Sequence, residues 1–132
     1  MREFLAGRLR SFGHAFAGLG YIVRTQKNAQ IHLVITLAVI ALGIWLSIPG
    51  VHWAVLLLTI ALVWAAESLN TSIETVLNIV QPEFSPMAKT GKDVAAAAVL
   101  ISAILAVIIG LIILGPPLWR VLTGETLVLA TS

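Results

Sequence analysis

The 132-residue sequence contains no cysteine and very little charge. Without cysteine, disulfide frameworks, thiolate metal sites and cysteine nucleophiles are excluded. Charged residues make up 11% of the chain and hydrophobic residues 59%, whereas a typical soluble domain has about a quarter charged residues. The mean hydropathy is +1.02. These values exclude a water-soluble globule with a large catalytic domain, and most of the chain is expected to face lipid.

The few charges are nearly balanced in sign and clustered along the chain. Eight basic and six acidic residues give a net charge of +2, and no run of Lys or Arg could follow nucleic-acid phosphates. We therefore expect no nucleic-acid partner. No charged residue occurs from 28 to 66 or from 94 to 119, so these segments are expected to lie in lipid. The length predicts a single membrane domain over residues 1–132.

Residues 1–28 have the pattern of an amphipathic helix. Five of the eight basic residues lie here. Apolar side chains recur at intervals of three and four residues: Leu5, Leu9, Phe12, Phe16, Leu19 and Val23. This combination is typical of a helix that lies on a membrane surface. A helix packed on a soluble core is the alternative.

Three long apolar segments follow, at residues 31–48, 52–80 and 86–114. The first ends at the turn signal Pro49-Gly50, and the second is apolar first and polar last. Ser85 is expected to cap the third helix, with Pro86 at its first position. The third helix is expected to stop at Gly115-Pro116-Pro117, and residues 115–132 to form an interfacial or disordered tail. The sequence thus predicts an all-α integral membrane protein.

The distribution of basic residues predicts the orientation of the spans. Cytoplasmic loops are enriched in Lys and Arg, and five basic residues lie at the N-terminus while only Arg120 lies in the tail. The N-terminus and the second turn are therefore expected on the cytoplasmic side, and the C-terminus outside. Three tryptophans then fall near the outer interface, as an aromatic belt requires: Trp45, Trp53 and Trp119.

Four polar side chains of the second span share one helical face: Glu67, Asn70, Glu74 and Asn78. Counted from Trp53 at about 1.5 Å per residue, Glu67 lies roughly 21 Å and Glu74 roughly 31 Å along the helix. Glu67 is thus expected within the cytoplasmic leaflet and Glu74 at its surface. A poorly solvated carboxylate suits a general base, and one at the wet boundary suits a divalent cation. A hydrogen-bonded seam between helices of an oligomer is the alternative.

Lys89, Lys92 and Asp93 lie in the first two turns of the third helix. Helix N-termini favour anions, and two lysines three residues apart add positive charge, so a polyphosphate site is plausible. Snorkelling of the lysines to lipid headgroups is the alternative. The segment around Gly91-Lys92 is not a Walker motif, so a nucleotide would be held without a P-loop.

The histidines, at positions 14, 32 and 52, have no metal-ligand spacing and are expected to be structural.

Two further function classes stay open. An oligomeric ion or proton channel would also place acids on one helical face, but it does not explain the paired lysines. A catalytically inactive membrane scaffold is the other class.

Two motifs at a specific spacing indicate a family. An E-x-x-N-x-x-I-E pattern at residues 67–74 is followed by the turn 82–89 and by K-D-V-A-A at residues 92–96. This combination resembles the prokaryotic diacylglycerol kinase and undecaprenol kinase family over about residues 8–114. The resemblance implies a homotrimer with active sites at subunit interfaces, which phosphorylates a lipid alcohol with MgATP in the plasma membrane of a bacterium. The turn and the K-D-V-A-A segment look more like the undecaprenol kinase branch, with diacylglycerol as the alternative substrate.

The same resemblance implies residue roles. Glu67 matches the catalytic base, Asn70 a supporting residue, and Glu74 a magnesium ligand. Lys92 matches the lysine that contacts the ATP phosphates, and Asp93 its acidic neighbour. The remaining members of the implied nucleotide site are Glu74, Asn78, Lys89 and Gln26.

Four residues depart from the family pattern. Gln26 stands where many members have a glutamate that shares the metal ions, so it is a candidate metal ligand beside Glu74. Asn78 stands where an aspartate is usual, and Phe84-Ser85 replaces a common Tyr-His pair. The loss of two acids leaves less charge for a second magnesium ion, although amide oxygens can still bind one.

Overall fold

The computed structural model describes residues 1–124, except for the side chains at positions 3, 5 and 6. This part of the chain consists of four helices: α1 (Arg2–Thr25), α2 (Lys27–Trp45), α3 (Gly50–Val80) and α4 (Pro86–Thr123). The last three are long and apolar enough to span a membrane. The predicted all-α membrane fold, with one amphipathic helix and three spans, is confirmed. The homotrimer stays a prediction.

Helix α1 exposes the apolar face that its sequence pattern predicts. Leu9, Phe12 and Phe16 of this face are all more than half exposed, as a helix lying on lipid requires. Gln26 has extended backbone angles (φ −101°, ψ 117°) and separates α1 from α2. Because only this one residue interrupts the helices, α2 begins at Lys27, four residues before the predicted start of the first span.

The first turn ends α2 with a Schellman motif. Ile48 N donates to Gly43 O at 3.2 Å, and Ser47 N donates to Ile44 O at 3.1 Å. Ser47 has a positive φ of 50°, the conformation that this motif requires and that glycine adopts most easily. The helix therefore ends at Trp45, three residues before the predicted end of the span.

Helices α3 and α4 make the most extensive helix contact of the fold. Near the first turn, buried side chains from the turn and both helices form a small core: Ile48, Leu56, Ile113 and Leu114. At the other end, Ser85 Oγ accepts a hydrogen bond from Ala88 N at 3.4 Å, and Pro86 occupies the first turn of α4. The cap predicted from the sequence is therefore present.

The predicted end of the third helix at about Leu114 is wrong. Helix α4 continues through Pro116 and Pro117 to Thr123, and Gly124 caps it with a φ of 69°. The prediction rested on the local effect of proline, which removes a backbone hydrogen bond and whose ring clashes with the carbonyl four residues back. Burial of Ile113 and Leu114, with Pro117 half-buried beyond them, favours continuation of the same helix. The predicted tail is thus helical as far as Thr123, and its part from 125 to 132 lies outside the described residues.

Candidate functional site

The polar face of α3 passes from a buried to an exposed environment along the helix. Glu67 is only 1% exposed, Asn70 and Glu74 are half-buried, and Asn78 is exposed. The depths of Glu67 and Glu74 in the bilayer stay a prediction. The face therefore offers a carboxylate shielded from water at one end and groups accessible to water at the other.

Three hydroxyl side chains near these residues donate hydrogen bonds to backbone carbonyls of α3. Ser68 Oγ donates to Trp64 O at 2.7 Å, Ser72 Oγ to Ser68 O at 2.8 Å, and Thr75 Oγ1 to Thr71 O at 2.7 Å. Such bonds to the carbonyl four residues back keep polar side chains satisfied where little water is present. The acids and amides of the face are thus the groups left for ligands.

Glu67 is one of three polar residues on α2 and α3 that have a buried side-chain atom without a hydrogen-bond partner. Within residues 1–124, its Oε2 atom is buried without a hydrogen bond, and so are His32 Nε2 and Thr71 Oγ1. Because buried polar atoms are normally paired, this cluster differs from an ordinary packing interface between helices.

A cavity of about 220 Å³ lies between α2, α3 and α4 beside this cluster. Its polar lining is Asn28 and His32 from α2 and Asn70 from α3. Its α4 wall includes Ala96 and Ala103, whose small side chains leave the space open. One water occupies about 30 Å³ of liquid, so the cavity is large enough for a hydroxyl-bearing group as well as water.

Lys92 connects α4 to the exposed end of the polar face. Its Nζ donates to Asn78 Oδ1 at 2.6 Å, and the Lys92 side chain is half-buried. Gly91 allows this approach, because a Cβ there would lie 3.3 Å from Leu77 Cδ1. Two residues that the sequence could place only on separate helices are thus in contact.

Lys89 and Asp93 form a separate ion pair. Lys89 Nζ lies 2.6 Å from an Asp93 carboxylate oxygen, and the side chains are 64% and 63% exposed. Exposed pairs at this spacing on a helix contribute little stability, typically below about 1 kcal/mol. Lys89 thus has an acidic partner on its own helix, whereas the side-chain partner of Lys92 is the neutral amide of Asn78.

The structure does not join the two predicted metal ligands. Gln26 is half-buried at the start of α2, and its Nε2 donates weakly to Thr25 Oγ1 at 3.5 Å. Among the described residues, no hydrogen bond connects Gln26 to Glu74. The same residues contain no cluster of three His, Asp or Glu side chains able to hold a metal ion.

His32 is the residue of this region that the sequence interpretation passed over. His32 was expected to be structural, because the histidines are far apart in the chain and have no metal-ligand spacing. A different signal was present: α2 and α3 are joined by a short turn and run antiparallel, so the start of α2 faces the polar part of α3. Reading the two helices in antiparallel register would have placed His32 near Glu67.

Residues 13–114 match the sequence pattern of prokaryotic diacylglycerol kinase. The chain belongs to the prokaryotic diacylglycerol kinase family. Membership of this family of lipid kinases favours phosphoryl transfer over the ion channel and the inactive scaffold.

Members of the prokaryotic diacylglycerol kinase family from several bacteria are similar to this chain. It is 44% identical over 111 residues to the diacylglycerol kinase of Synechocystis sp. (83% of this chain, 63% of that protein). It is 36% identical over 109 residues to the undecaprenol kinase of Bacillus subtilis (83% and 89%), and 28% identical over 106 residues to the diacylglycerol kinase of Escherichia coli K12 (80% and 87%). The match thus spans less than two thirds of the Synechocystis protein and most of the other two.

Proposed function

We propose that the protein transfers the γ-phosphoryl group of ATP to undecaprenol and forms undecaprenyl phosphate at the cytoplasmic face of a bacterial plasma membrane. The observation that carries the proposal is the burial of Glu67, a carboxylate 1% exposed on a helix long and apolar enough to span a membrane, about one turn before Asn70, which lines a small cavity. A lipid alcohol presents its hydroxyl group at this depth, whereas a water-soluble acceptor does not reach it.

The proposed transfer uses the two ends of the polar face. The lipid hydroxyl oxygen forms a bond to the γ-phosphorus, the bond from that phosphorus to the bridging oxygen breaks, and ADP leaves. The hydroxyl proton passes to Glu67, supported by Asn70 at the cavity wall. Lys92, which is not neutralised by a carboxylate, approaches the phosphates from the exposed end and stabilises their charge. Asp93 and Lys89, paired with each other, lie beside the nucleotide rather than on the transferred group.

Magnesium fits the oxygen donors of this site. Mg²⁺ is usually held by one or two carboxylates together with substrate phosphates and water, and Glu74 supplies one carboxylate at the boundary of the leaflet. The amide oxygen of Gln26 is the second proposed ligand. When bound, the ion would neutralise phosphate charge.

The proposed assembly is a homotrimer with active sites between subunits. Each protomer exposes many large apolar side chains on α2, α3 and α4, which offers surface to both lipid and neighbouring copies. Because no bond joins Gln26 to Glu74 within the described residues of one protomer, a site completed by a neighbour agrees with this assembly.

Diacylglycerol is the second candidate substrate. It is favoured by the names of the Synechocystis and Escherichia coli relatives, while undecaprenol is favoured by the Bacillus subtilis relative, which the match covers more fully than the Synechocystis protein. In both cases the product is a lipid phosphate monoester. The acceptor hydroxyl is the same chemical group, so the choice depends on the lipid tails.

A lipid panel tests the proposal. Purified full-length protein in mixed micelles is given MgATP with undecaprenol, diacylglycerol or a long-chain alkanol, and the products are identified by mass. We expect kcat/KM for undecaprenol to exceed that for diacylglycerol by about tenfold, a difference of about 1.4 kcal/mol in transition-state binding. A higher value for diacylglycerol would identify it as the substrate instead. Absence of phosphorylation of every lipid would overturn the kinase assignment.

A further inference from the structure

A cavity of about 750 Å³ lies at the end of the helices opposite the polar face of α3. It is formed between the first turn, the start of α3 and the last turns of α4. Ligand pockets in proteins usually measure about 300–1,000 Å³, so this cavity is large enough for a ligand. It takes no part in the proposed transfer, because Glu67 and Lys92 lie toward the other end of their helices.

The continuation of α4 past its prolines forms one wall of the cavity. Pro116 and Pro117 lie inside the helix, and the turns beyond them bring Arg120 to the cavity lining. A proline has no N–H group, so the usual hydrogen bond to the carbonyl four residues earlier is missing. The carbonyl oxygens concerned belong to Ile112 and Ile113, and both residues line the cavity. The wall therefore includes two backbone acceptors without their usual helical donor.

The lining of the cavity also contains basic side chains. Arg120 of α4 and His52 of α3 both line it, and both are exposed. No acidic residue occurs in the segments that form the cavity, 46–52 and 112–124. A guanidinium group binds phosphate through two parallel hydrogen bonds, and an imidazole N–H can donate a further one. The charge of the cavity thus favours a phosphate ester over a cation.

Two tryptophans indicate the depth of the cavity in the membrane. Trp53 follows His52 in α3, and Trp119 precedes Arg120 in α4 and is 66% exposed. Tryptophan is enriched at the interface between lipid and water, where phospholipid headgroups lie. The remaining lining is mostly apolar, which suits the first carbons of lipid chains. The surroundings of the cavity therefore favour a lipid over a soluble phosphate.

We propose that this cavity binds the headgroup of an anionic phospholipid that carries hydroxyl groups, as phosphatidylglycerol does. Arg120, assisted by His52, binds the phosphate. The headgroup hydroxyls donate to the carbonyl oxygens of Ile112 and Ile113 and supply the hydrogen bonds that the prolines remove. A lipid that binds the folded state alone stabilises it, so the site holds a structural lipid at the membrane surface opposite the proposed transfer.

Native mass spectrometry of the full-length protein in detergent tests the phosphate contact. Phosphatidylglycerol and phosphatidylcholine with the same chains are titrated into wild type, Arg120→Gln and the matched control Arg10→Gln, which alters an exposed arginine of α1. We expect wild type to bind phosphatidylglycerol more tightly than phosphatidylcholine. Arg120→Gln should weaken phosphatidylglycerol binding by about tenfold, because it removes hydrogen bonds between charged groups, and Arg10→Gln should keep the wild-type affinity. Equal losses in both variants, or unchanged binding by Arg120→Gln, would overturn the proposal.

A second lipid tests the hydroxyl contacts. Phosphatidylmethanol has the charge of phosphatidylglycerol but no headgroup hydroxyl. We expect wild type to prefer phosphatidylglycerol by about tenfold, as two neutral hydrogen bonds allow. The double variant Pro116→Ala with Pro117→Ala should lose this preference, because its new N–H groups bond to the two carbonyls. Alanine favours a helix, so this variant is expected to fold. A preference that persists in the double variant, or is absent from wild type, would refute the hydroxyl contacts.

Soluble analogues distinguish a lipid headgroup from a free phosphate ester. Glycerol 1-phosphate, added in large excess over the lipid, should leave phosphatidylglycerol bound, because it gains nothing from the apolar part of the lining. Displacement of the lipid by an equal concentration of glycerol 1-phosphate would show that the cavity takes a soluble ligand and would overturn the lipid assignment.

Discussion

At the scale of single residues, burial and pairing distinguish the ionisable groups from one another. Glu67 is almost fully buried, Lys92 is bonded to an amide, and Lys89 is paired with Asp93. In a chain with so few charges, each of these environments is informative. We assign chemical roles to Glu67 and Lys92, which have no oppositely charged partner within residues 1–124.

Removal of the Glu67 carboxylate tests its role as the base. Glu67→Gln keeps the size and hydrogen-bonding ability of the side chain but accepts no proton, so kcat should fall by about 100-fold or more. ATP affinity, measured with a fluorescent analogue, should stay near the wild-type value. The matched control is Glu83→Gln, which alters an exposed acid in the second turn and should leave kcat unchanged. Wild-type turnover in Glu67→Gln would contradict the assignment.

The two lysines of α4 provide a second matched pair. Lys92→Gln should raise the KM for ATP by about tenfold or more, because a hydrogen bond to a charged group contributes about 1.5–3 kcal/mol. Lys89→Gln removes a lysine that Asp93 already neutralises, so its effect should stay below about threefold. Initial rates over a range of ATP concentrations measure both effects. Equal increases in KM would show that the Lys89–Asp93 pair does not persist when the nucleotide binds.

At the scale of helices, the composition of the chain predicted the elements better than their ends. Long apolar runs have no stable alternative to a helix in lipid, so α2, α3 and α4 follow directly from the sequence. Local signals predicted the Ser85 cap correctly and the stop at Pro116 wrongly. The cap depends on one neighbouring amide, whereas continuation past the prolines depends on packing of Ile113 and Leu114 with residues distant in the chain.

The first turn offers a test of helix termination. Ser47 has a φ of 50°, a left-handed conformation that costs a residue with a Cβ roughly 1–2 kcal/mol. Ser47→Gly should therefore raise the thermal unfolding midpoint in detergent, whereas Ser47→Ala keeps the Cβ and should leave it nearly unchanged. A midpoint for Ser47→Gly at or below that of Ser47→Ala would show that the turn is not strained as the structure indicates.

At the scale of the whole molecule, the candidate site depends on how the helices pack. The sequence alone placed Glu67, Asn70, Glu74 and Asn78 on one face, because helical periodicity determines that spacing. It did not bring Lys92 to Asn78, because this contact depends on the register between helices. Residues within one element could thus be grouped from the sequence, while pairs between elements required the structure.

The central claim is that the buried acid of α3 enables phosphoryl transfer to a lipid alcohol. The most direct measurement uses ATP with an isotope label in the γ-phosphate and protein reconstituted in vesicles that contain undecaprenol. Mass spectrometry of the extracted lipid reports where the label goes. We predict labelled undecaprenyl phosphate with the wild-type protein and almost none with Glu67→Gln. Unlabelled lipid with the wild-type protein, or equal labelling by both proteins, would contradict the account.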